Sequence, residues 1–373
     1  MSSNHPVIVY GATGYTGRLI IEYLREYQVP FVAAGRDADR IREVVDRIPG
    51  IDTVEHDVVA VEHTVGALTE LFSGAKVVCN TVGPFAELGP EVVEACAAAG
   101  CHYLDTTGEQ NWVIDARDRW GARFAEADLL LSPGIAQMYT TGEIAAQIAL
   151  EQPGLDTLDI LVLWKGFPTY ASTQTIFTNL LEPAHYLEAN QLVPWPAGGG
   201  TELQVPGQHE LALSLPWGGT SHPAWFQQDH RVANCRVQGG LFDRNLMQGI
   251  IDMAGAVATE ISKLPPEQQG PALKAEADKM QSGMPPRENQ RVNRSLDSVH
   301  ATGPLGRAHV LIRGACNYKQ TGLMQAYGAY RLLQGAPLQT GFASGCQAFG
   351  HRELLGELQT FGLAAAPEIT RVG

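Results

Sequence analysis

Short runs of aliphatic and β-branched residues alternate with stretches of helical periodicity through the first 135 positions. Val7-Ile8-Val9-Tyr10 is a strand-like run that stops at glycine, and Thr16 to Glu26 then places Leu19, Ile20, Tyr23 and Leu24 at helical spacing. Phe31-Val32-Ala33-Ala34 predicts a second strand and Ile41 to Ile48 a second helix. A third strand is expected from Val54 and a fourth at Lys76-Val77-Val78-Cys79, with a helix over Val92 to Ala99. His102-Tyr103-Leu104-Asp105 and Leu129-Leu130-Leu131 complete the series. Such alternation predicts parallel strands joined by right-handed helical crossovers, with ligands at the carboxyl ends of the strands.

After Pro133-Gly134 the pattern changes. Leu158 to Trp164 reads as a long strand, and Pro194 to Gly219, rich in Pro, Gly and Trp, reads as loops or a hairpin. Leu264 to Gln290 is polar with two Pro-Pro pairs and is expected to be a mobile excursion. Arg307 to Gly314 returns as a strand, and helices are expected over Leu323 to Leu333 and Gly350 to Phe361. The fold class is therefore α/β: a Rossmann-type doubly wound parallel sheet, with a second α+β domain on a mainly antiparallel sheet. The expected division is a nucleotide-binding domain of the Rossmann type over residues 1–135 and a substrate and dimerisation domain over 136–321. The closing helices, about residues 322–373, are expected to pack back on the first domain.

With 373 residues the chain is long enough for two domains. It is 45% hydrophobic and 18% charged, the balance of a folded globular protein. Forty acidic against 26 basic residues leave a net charge of -14, and no Lys/Arg cluster overrides that field, so nucleic acid is not an expected partner. The six cysteines form no CxxC pair, which argues against a zinc ribbon or a secreted disulfide framework. The opening Met1 to Pro6 is too polar for a signal peptide, and the apolar stretch Leu246 to Ile261 is broken by Asp252 and Glu260. A cytoplasmic protein without a transmembrane segment, and a homodimer through the second domain, are the expectations.

The strongest chemical signal is Gly11-Ala12-Thr13-Gly14-Tyr15-Thr16-Gly17, between a strand and a helix. Glycines at this spacing allow a sharp turn, close approach of a pyrophosphate to backbone amides, and tight helix–strand packing. The second strand ends in Gly35-Arg36. A guanidinium there grips the 2′-phosphate of NADP, whereas the neighbouring Asp37, turned inward, would bind the ribose of NAD. Asp57, after the third strand, is expected near the adenine edge. Asn80, Thr81, Val82, Gly83 and Pro84 follow the fourth strand, where a turn lies beside the nicotinamide.

GATGYTG, AAGR, CNTVGPF and HYLDTTGE, in that order, resemble the saccharopine dehydrogenase-like reductase family, which includes trans-acting enoyl reductases. The resemblance is dense over residues 7 to about 135 and thinner over Gly322 to Gly362. It implies NADP(H) binding by Gly11, Thr13, Gly14, Arg36 and Asn80, with Tyr15, Thr16 and Gly35 beside them, and hydride transfer. Where family members read Gly-Phe-Asp-Ser-x-Pro, this chain has Gly134-Ile135-Ala136-Gln137-Met138-Tyr139-Thr140, so the family's substrates do not carry over.

No Tyr-x-x-x-Lys pair and no metal-ligand spacing is visible. Tyr139, in the altered segment, is the first candidate proton donor, with Lys165, Tyr170 and His102 as alternatives. Residues 140–230 carry few basic side chains apart from Lys165, which favours an apolar substrate over one with several carboxylates. The expected activity is NADPH-dependent reduction of a conjugated C=C in an enone or enoyl group. Reduction of an imine or carbonyl is the alternative, and a non-catalytic NADPH-binding sensor or assembly protein is the alternative of another class.

Overall fold

The computed structural model describes residues 5–196, 199–216, 220–280 and 283–372. From β1 (Val7–Tyr10) the chain passes through α1 (Tyr15–Glu26), β2 (Phe31–Gly35), α2 (Ala38–Val45) and β3 (His56–Ala60). Next come α3 (Val65–Phe72), β4 (Val77–Asn80), α4 (Phe85–Ala99), β5 (His102–Asp105) and α5 (Gln110–Glu126). After β6 (Leu130–Ser132) and α6 (Gln137–Ala149) follow β7 (Thr157–Lys165), α7 (Tyr170–Thr178), β8 (His185–Glu188) and β9 (Gln191–Pro194). Then β10 (Thr201–Gln204), β11 (Leu211–Pro216), α8 (His222–Phe226), β12 (Asn234–Leu241), α9 (Arg244–Thr259) and α10 (Pro266–Met280) lead to β13 (Arg294–Gly303) and β14 (Gly306–Ala315). The chain closes with α11 (Asn317–Gln334), β15 (Gly341–Phe342), α12 (Gly345–Phe349), α13 (His351–Thr360) and β16 (Glu368–Val372).

Two compact units result. The first holds the described residues up to Thr107, Asn111–Thr140 and Tyr318–Phe361; the second holds Gly108–Gln110, those of Thr141–Asn317, and those from Gly362 on. Apart from the short excursion at Gly108–Gln110, the chain passes to the second unit after Thr140, inside α6 and five residues past position 135. The closing segment divides as well. Residues 318–361 join the first unit, but β16 belongs to the second, where it pairs antiparallel with β14 from Arg307↔Val372 to Leu311↔Glu368.

The first unit is built on a parallel sheet in the order β15-β6-β5-β4-β1-β2-β3. Its central strand, Val7–Tyr10, is buried throughout because helices cover both faces, so its sequence is a continuous apolar run rather than an alternation. One face carries Ile8, Tyr10, Val32, Val78, Tyr103 and Leu131 into a core with Phe72, Trp112 and Phe124. The third strand starts later than the sequence suggested. Gly50, with φ of 72°, opens a 3-10 turn at Ile51–Thr53, and strand pairing begins only at His56.

In the second unit the sheet runs β10-β11-β12-β7-β13-β14-β16, with β8 attached to β12 and β9 to β8. All pairs are antiparallel except β12 with β7. Leu161, Leu163, Leu296 and Leu311 on one face pack under Val205 and Ala212 of the β10–β11 hairpin. The polar stretch 264–290 is largely helix α10, which docks through Leu273 and Ala277 onto Phe177, Val257 and Ile261. These two apolar side chains lie one turn apart on its inner face, a pattern that the overall polarity of the segment conceals. Trp217, one of the aromatics in the Pro194–Gly219 stretch, lies outside the described residues.

Candidate cofactor site

The loop between β1 and α1 is shaped by its glycines. Gly11 has φ of 94°, and a Cβ on it would fall 2.5 Å from Thr81 Oγ1. A Cβ on Gly17 would run into the Gly11 carbonyl oxygen, so only glycine lets α1 approach the loop this closely. The Gly11 amide donates to Ala34 O at 2.9 Å and the Gly14 amide to Gly11 O at 2.9 Å, which fixes the turn across the ends of β1 and β2. Thr13 and Thr16 stay partly accessible on this loop and the first turn of α1. Tyr15 turns inward instead: its ring packs edge-on against Tyr318 at 5.1 Å, so the phenol is taken up in packing.

Gly35 ends β2, and Arg36 follows it exposed. Asp37 is the N-cap of α2 and accepts the amides of Asp39 and Arg40, both at 3.1 Å. That capping role holds the carboxylate at the start of α2 through Oδ1. Arg36 has no ion pair among the described residues. Its charge is felt at the Tyr10 hydroxyl, whose pKa burial raises and Arg36 pulls back down. Tyr10 Oη also lies 2.9 Å from His63 Nδ1, and the two rings stack with planes 6° apart. His63 Nε2 lies 3.7 Å from Glu91 Oε2. Neither His63 nor Glu91 was legible as part of this edge, because no spacing pattern links them to the glycine loop.

Asp57 is not at this edge. It is the second residue of β3, paired in register with Val32, and its carboxylate lies 3.3 Å from His5 Nε2. The carboxyl end of β3 is Ala60, opposite Gly35, about 10 Å further along the strand. The late start of β3 moved Asp57 to the amino-terminal end of the sheet. His102 has the same fate at the start of β5, opposite Val77. Its Nδ1 accepts the Leu130 amide at 2.9 Å, and burial with Lys76 nearby pushes its pKa down to about 4. It stands at the amino-terminal end of β5, whereas ligands of a parallel sheet bind at the carboxyl ends of the strands.

Asn80 is fully buried, and both ends of its amide are used inside the protein. Nδ2 donates to Tyr103 Oη at 3.1 Å, and Oδ1 accepts the Val82 amide at 2.9 Å. These two bonds shape the turn at Thr81 and Val82. Thr81 Oγ1 lies 3.1 Å from the carbonyls of Tyr10 and Gly11, and its amide donates to Tyr10 O at 2.8 Å. Val82 and Gly83 continue the turn, and Pro84 is the N-cap of α4.

Behind this turn lies a buried carboxylate that the motif HYLD contained but whose role its spacing did not disclose. Asp105 Oδ2 accepts from Tyr103 Oη at 2.8 Å and from Trp112 Nε1 at 2.9 Å. Asp105 Oδ1 accepts the amides of Thr107 at 2.9 Å and Gly134 at 2.8 Å. Burial raises this carboxyl's pKa, and the four donors act against that rise. From α11, Gln325 Nε2 donates to Asp105 O at 2.6 Å and to Ile135 O at 3.0 Å. The loops after β4, β5 and β6 are thus tied together.

The other three candidate donors are spread over both units. Tyr139, in the first turn of α6, is buried in the first unit. Lys165 ends β7 in the second unit with its side chain in solvent. Tyr170, also in the second unit, joins α7 to α10: its hydroxyl donates to Asp278 Oδ1 at 2.9 Å and accepts from Lys274 Nζ at 2.7 Å. Gln174 Nε2 also reaches Asp278 Oδ1, at 2.8 Å.

Among the described residues no helix is long and apolar enough to cross a membrane, and no group of three or more His, Cys, Asp or Glu side chains could hold a metal ion.

Comparison with known proteins divides the chain similarly. The model of the saccharopine dehydrogenase NADP binding domain matches residues 7–125, and that of a family of unknown function, DUF5938, matches residues 140–373. A trans-acting enoyl reductase of Mycobacterium ulcerans is 37% identical over 122 residues, which is 32% of this chain and 29% of that protein. A lipid droplet localized protein of Caenorhabditis elegans is 32% identical over 132 residues, 33% of this chain and 31% of that protein. The matched stretch spans less than a third of either relative. Apo saccharopine dehydrogenase (L-Glu forming) from Saccharomyces cerevisiae superposes with a TM-score of 0.63 over 99% of this chain and 100% of that chain, at 11% identity. That likeness is one of fold.

Proposed function

The chain belongs to the family of unknown function DUF5938, joined to an NADP-binding domain of the saccharopine dehydrogenase type, and on that footing we propose that it is an NADPH-dependent reductase. The observation that carries the reading is the pairing of an unengaged Arg36 with an Asp37 committed to capping α2. The donors and shape of the edge fit a dinucleotide: a glycine turn that a Cβ would fill, and a guanidinium where a 2′-phosphate belongs. When bound, the nicotinamide supplies the hydride.

The protein's own part is to orient the cofactor and deliver a proton. Tyr139 is the donor we assign first. It lies just past the carboxyl end of β6, the side of a parallel sheet where ligands bind, and a phenol suits protonation beside a developing enolate. Lys165 is in solvent and Tyr170 is engaged between α7 and α10, so both rank behind it.

The substrate proposed is an apolar enone or enoyl compound. Lys165 is the only Lys or Arg between residues 140 and 230, too few cations for a substrate with several carboxylates. The enoyl reductase relatives share the first domain and lend weight to C=C reduction. The test follows NADPH oxidation with a panel of α,β-unsaturated carbonyls, amino-acid-derived imines and simple ketones. Turnover of the unsaturated carbonyls alone is the expected result. Turnover confined to imines would overturn the substrate class, and NADPH binding with no turnover on the panel would favour a sensor.

A further inference from the structure

We propose that a cavity at the amino ends of β7 and β12 binds a small organic ammonium ion, a protonated amine with an apolar body. The cavity measures about 450 Å³ and lies in the second unit. Small-molecule sites usually span about 300–1,000 Å³. It forms where the loop between α6 and β7 meets the turn between β13 and β14. Gly154 takes φ of 81°, and a Cβ on Gly303 would fall 2.0 Å from Gly154 O, so glycine at both positions lets the two segments close on each other. Leu150, Leu155 and Pro304 supply apolar wall. Lys165 stands at the other end of β7, about 26 Å along the strand, so the cavity is separate from that candidate donor.

The charges around it leave one carboxylate unbalanced. Arg231 lines the cavity but is held by Asp229, from Nε to Oδ1 at 3.0 Å and from Nη2 to Oδ2 at 2.6 Å. Glu151, also on the wall, lies 3.3 Å from Arg371 Nη2. Asp156 has no ion pair among the described residues, and its carboxylate accepts the Thr157 hydroxyl through Oδ1 at 2.8 Å. Arg307 stands two strands from Thr157, about 10 Å away, too far to pair with it. Three carboxylates and two guanidiniums thus leave a net negative charge at the cavity. The Asp156 backbone is pinned on both sides: its amide donates to Thr302 O at 3.0 Å, and its carbonyl accepts the amides of Ala233 at 2.8 Å and Asn234 at 3.1 Å. A carboxylate on so fixed a backbone loses little freedom on binding. Gln152, on the same wall, has its side-chain oxygen buried with no hydrogen-bond partner among the described residues, a further acceptor in want of a donor. The carboxyl-terminal end of α6 adds its partial negative charge at this corner, where Arg371 Nη2 already reaches Ile148 O at 3.2 Å.

The experiment titrates tryptamine, indole and indole-3-propionate into the full chain by calorimetry at about pH 8, where an alkylamine is charged and an unperturbed imidazole is neutral. Tryptamine should bind at least about tenfold more tightly than indole or the anion. Asp156→Asn, whose amide oxygen can still accept the Thr157 hydroxyl, should lose about tenfold in tryptamine affinity. Asp159→Asn removes the same charge from an exposed position on β7 and should bind as the wild type does. Absence of tryptamine binding, equal affinity for tryptamine and indole, or an Asp156→Asn chain that binds no more weakly than Asp159→Asn would overturn the proposal. The three-probe comparison on the unaltered chain keeps the test open if a variant does not fold.

Discussion

Tyr103 donates its hydroxyl proton to Asp105 at 2.8 Å and accepts from Asn80 at 3.1 Å, so one buried phenol joins the end of β5 to the turn that follows β4. Removing it leaves a buried amide and a buried carboxylate each short of a partner. Tyr103→Phe should cost about 1–3 kcal/mol in urea unfolding, and Asp105→Asn, which sets an amide N–H against donors, about 2–4 kcal/mol. Both should weaken NADPH binding, because Asn80 no longer holds the Val82 amide in place. Full retention of affinity in both variants would separate this network from the cofactor turn.

His102 makes stability depend on pH with a defined sign. Its pKa is 6.5 in a free chain and about 4 when folded, so below 6.5 the unfolded chain binds a proton that the folded one refuses. The stability it contributes is complete above 6.5 and is lost as pH falls from there to about 4. The full difference is at most about 3 kcal/mol. His102→Gln, which can still accept the Leu130 amide, should flatten the decline in unfolding free energy between about pH 7 and about pH 4.5. An unchanged slope would move its origin elsewhere.

Gly17→Ala places a Cβ against the Gly11 carbonyl and should lower both the melting temperature and NADPH affinity, the latter more than about tenfold. Binding at wild-type strength would mean that the loop tolerates a wider approach of α1.

Tyr139→Phe and Tyr170→Phe separate the candidate donors. Tyr139→Phe should abolish turnover of an enone while NADPH still binds. Tyr170→Phe removes two exposed hydrogen bonds between α7 and α10, should cost about 0–1 kcal/mol, and should keep turnover. The opposite pattern would give the role to Tyr170.

How far the sequence discloses the site follows from the range of each interaction. The turn from Tyr10 to Gly17 and the strand end at Arg36 are set by adjacent residues, and local spacing reveals them. Asp57 was misplaced because a single 3-10 turn at Ile51–Thr53 delays β3, a shift that periodicity does not encode. The bond from Asn80 to Tyr103 joins two strands, and no local spacing encodes it. Tyr170 meets Lys274 and Asp278 across more than a hundred residues, beyond the reach of any spacing rule.

Arg36→Ala should weaken NADPH at least about tenfold while leaving NADH unchanged, since only the former carries the phosphate. Equal losses would deny Arg36 that role.

The most direct test of the account is the binding of NADPH and NADH to the unmodified chain, measured side by side by equilibrium titration. Clear preference for NADPH is the predicted result. Preference for NADH would contradict the reading of Arg36 and Asp37, and binding of neither would reduce the glycine turn to a structural feature and end the reductase proposal.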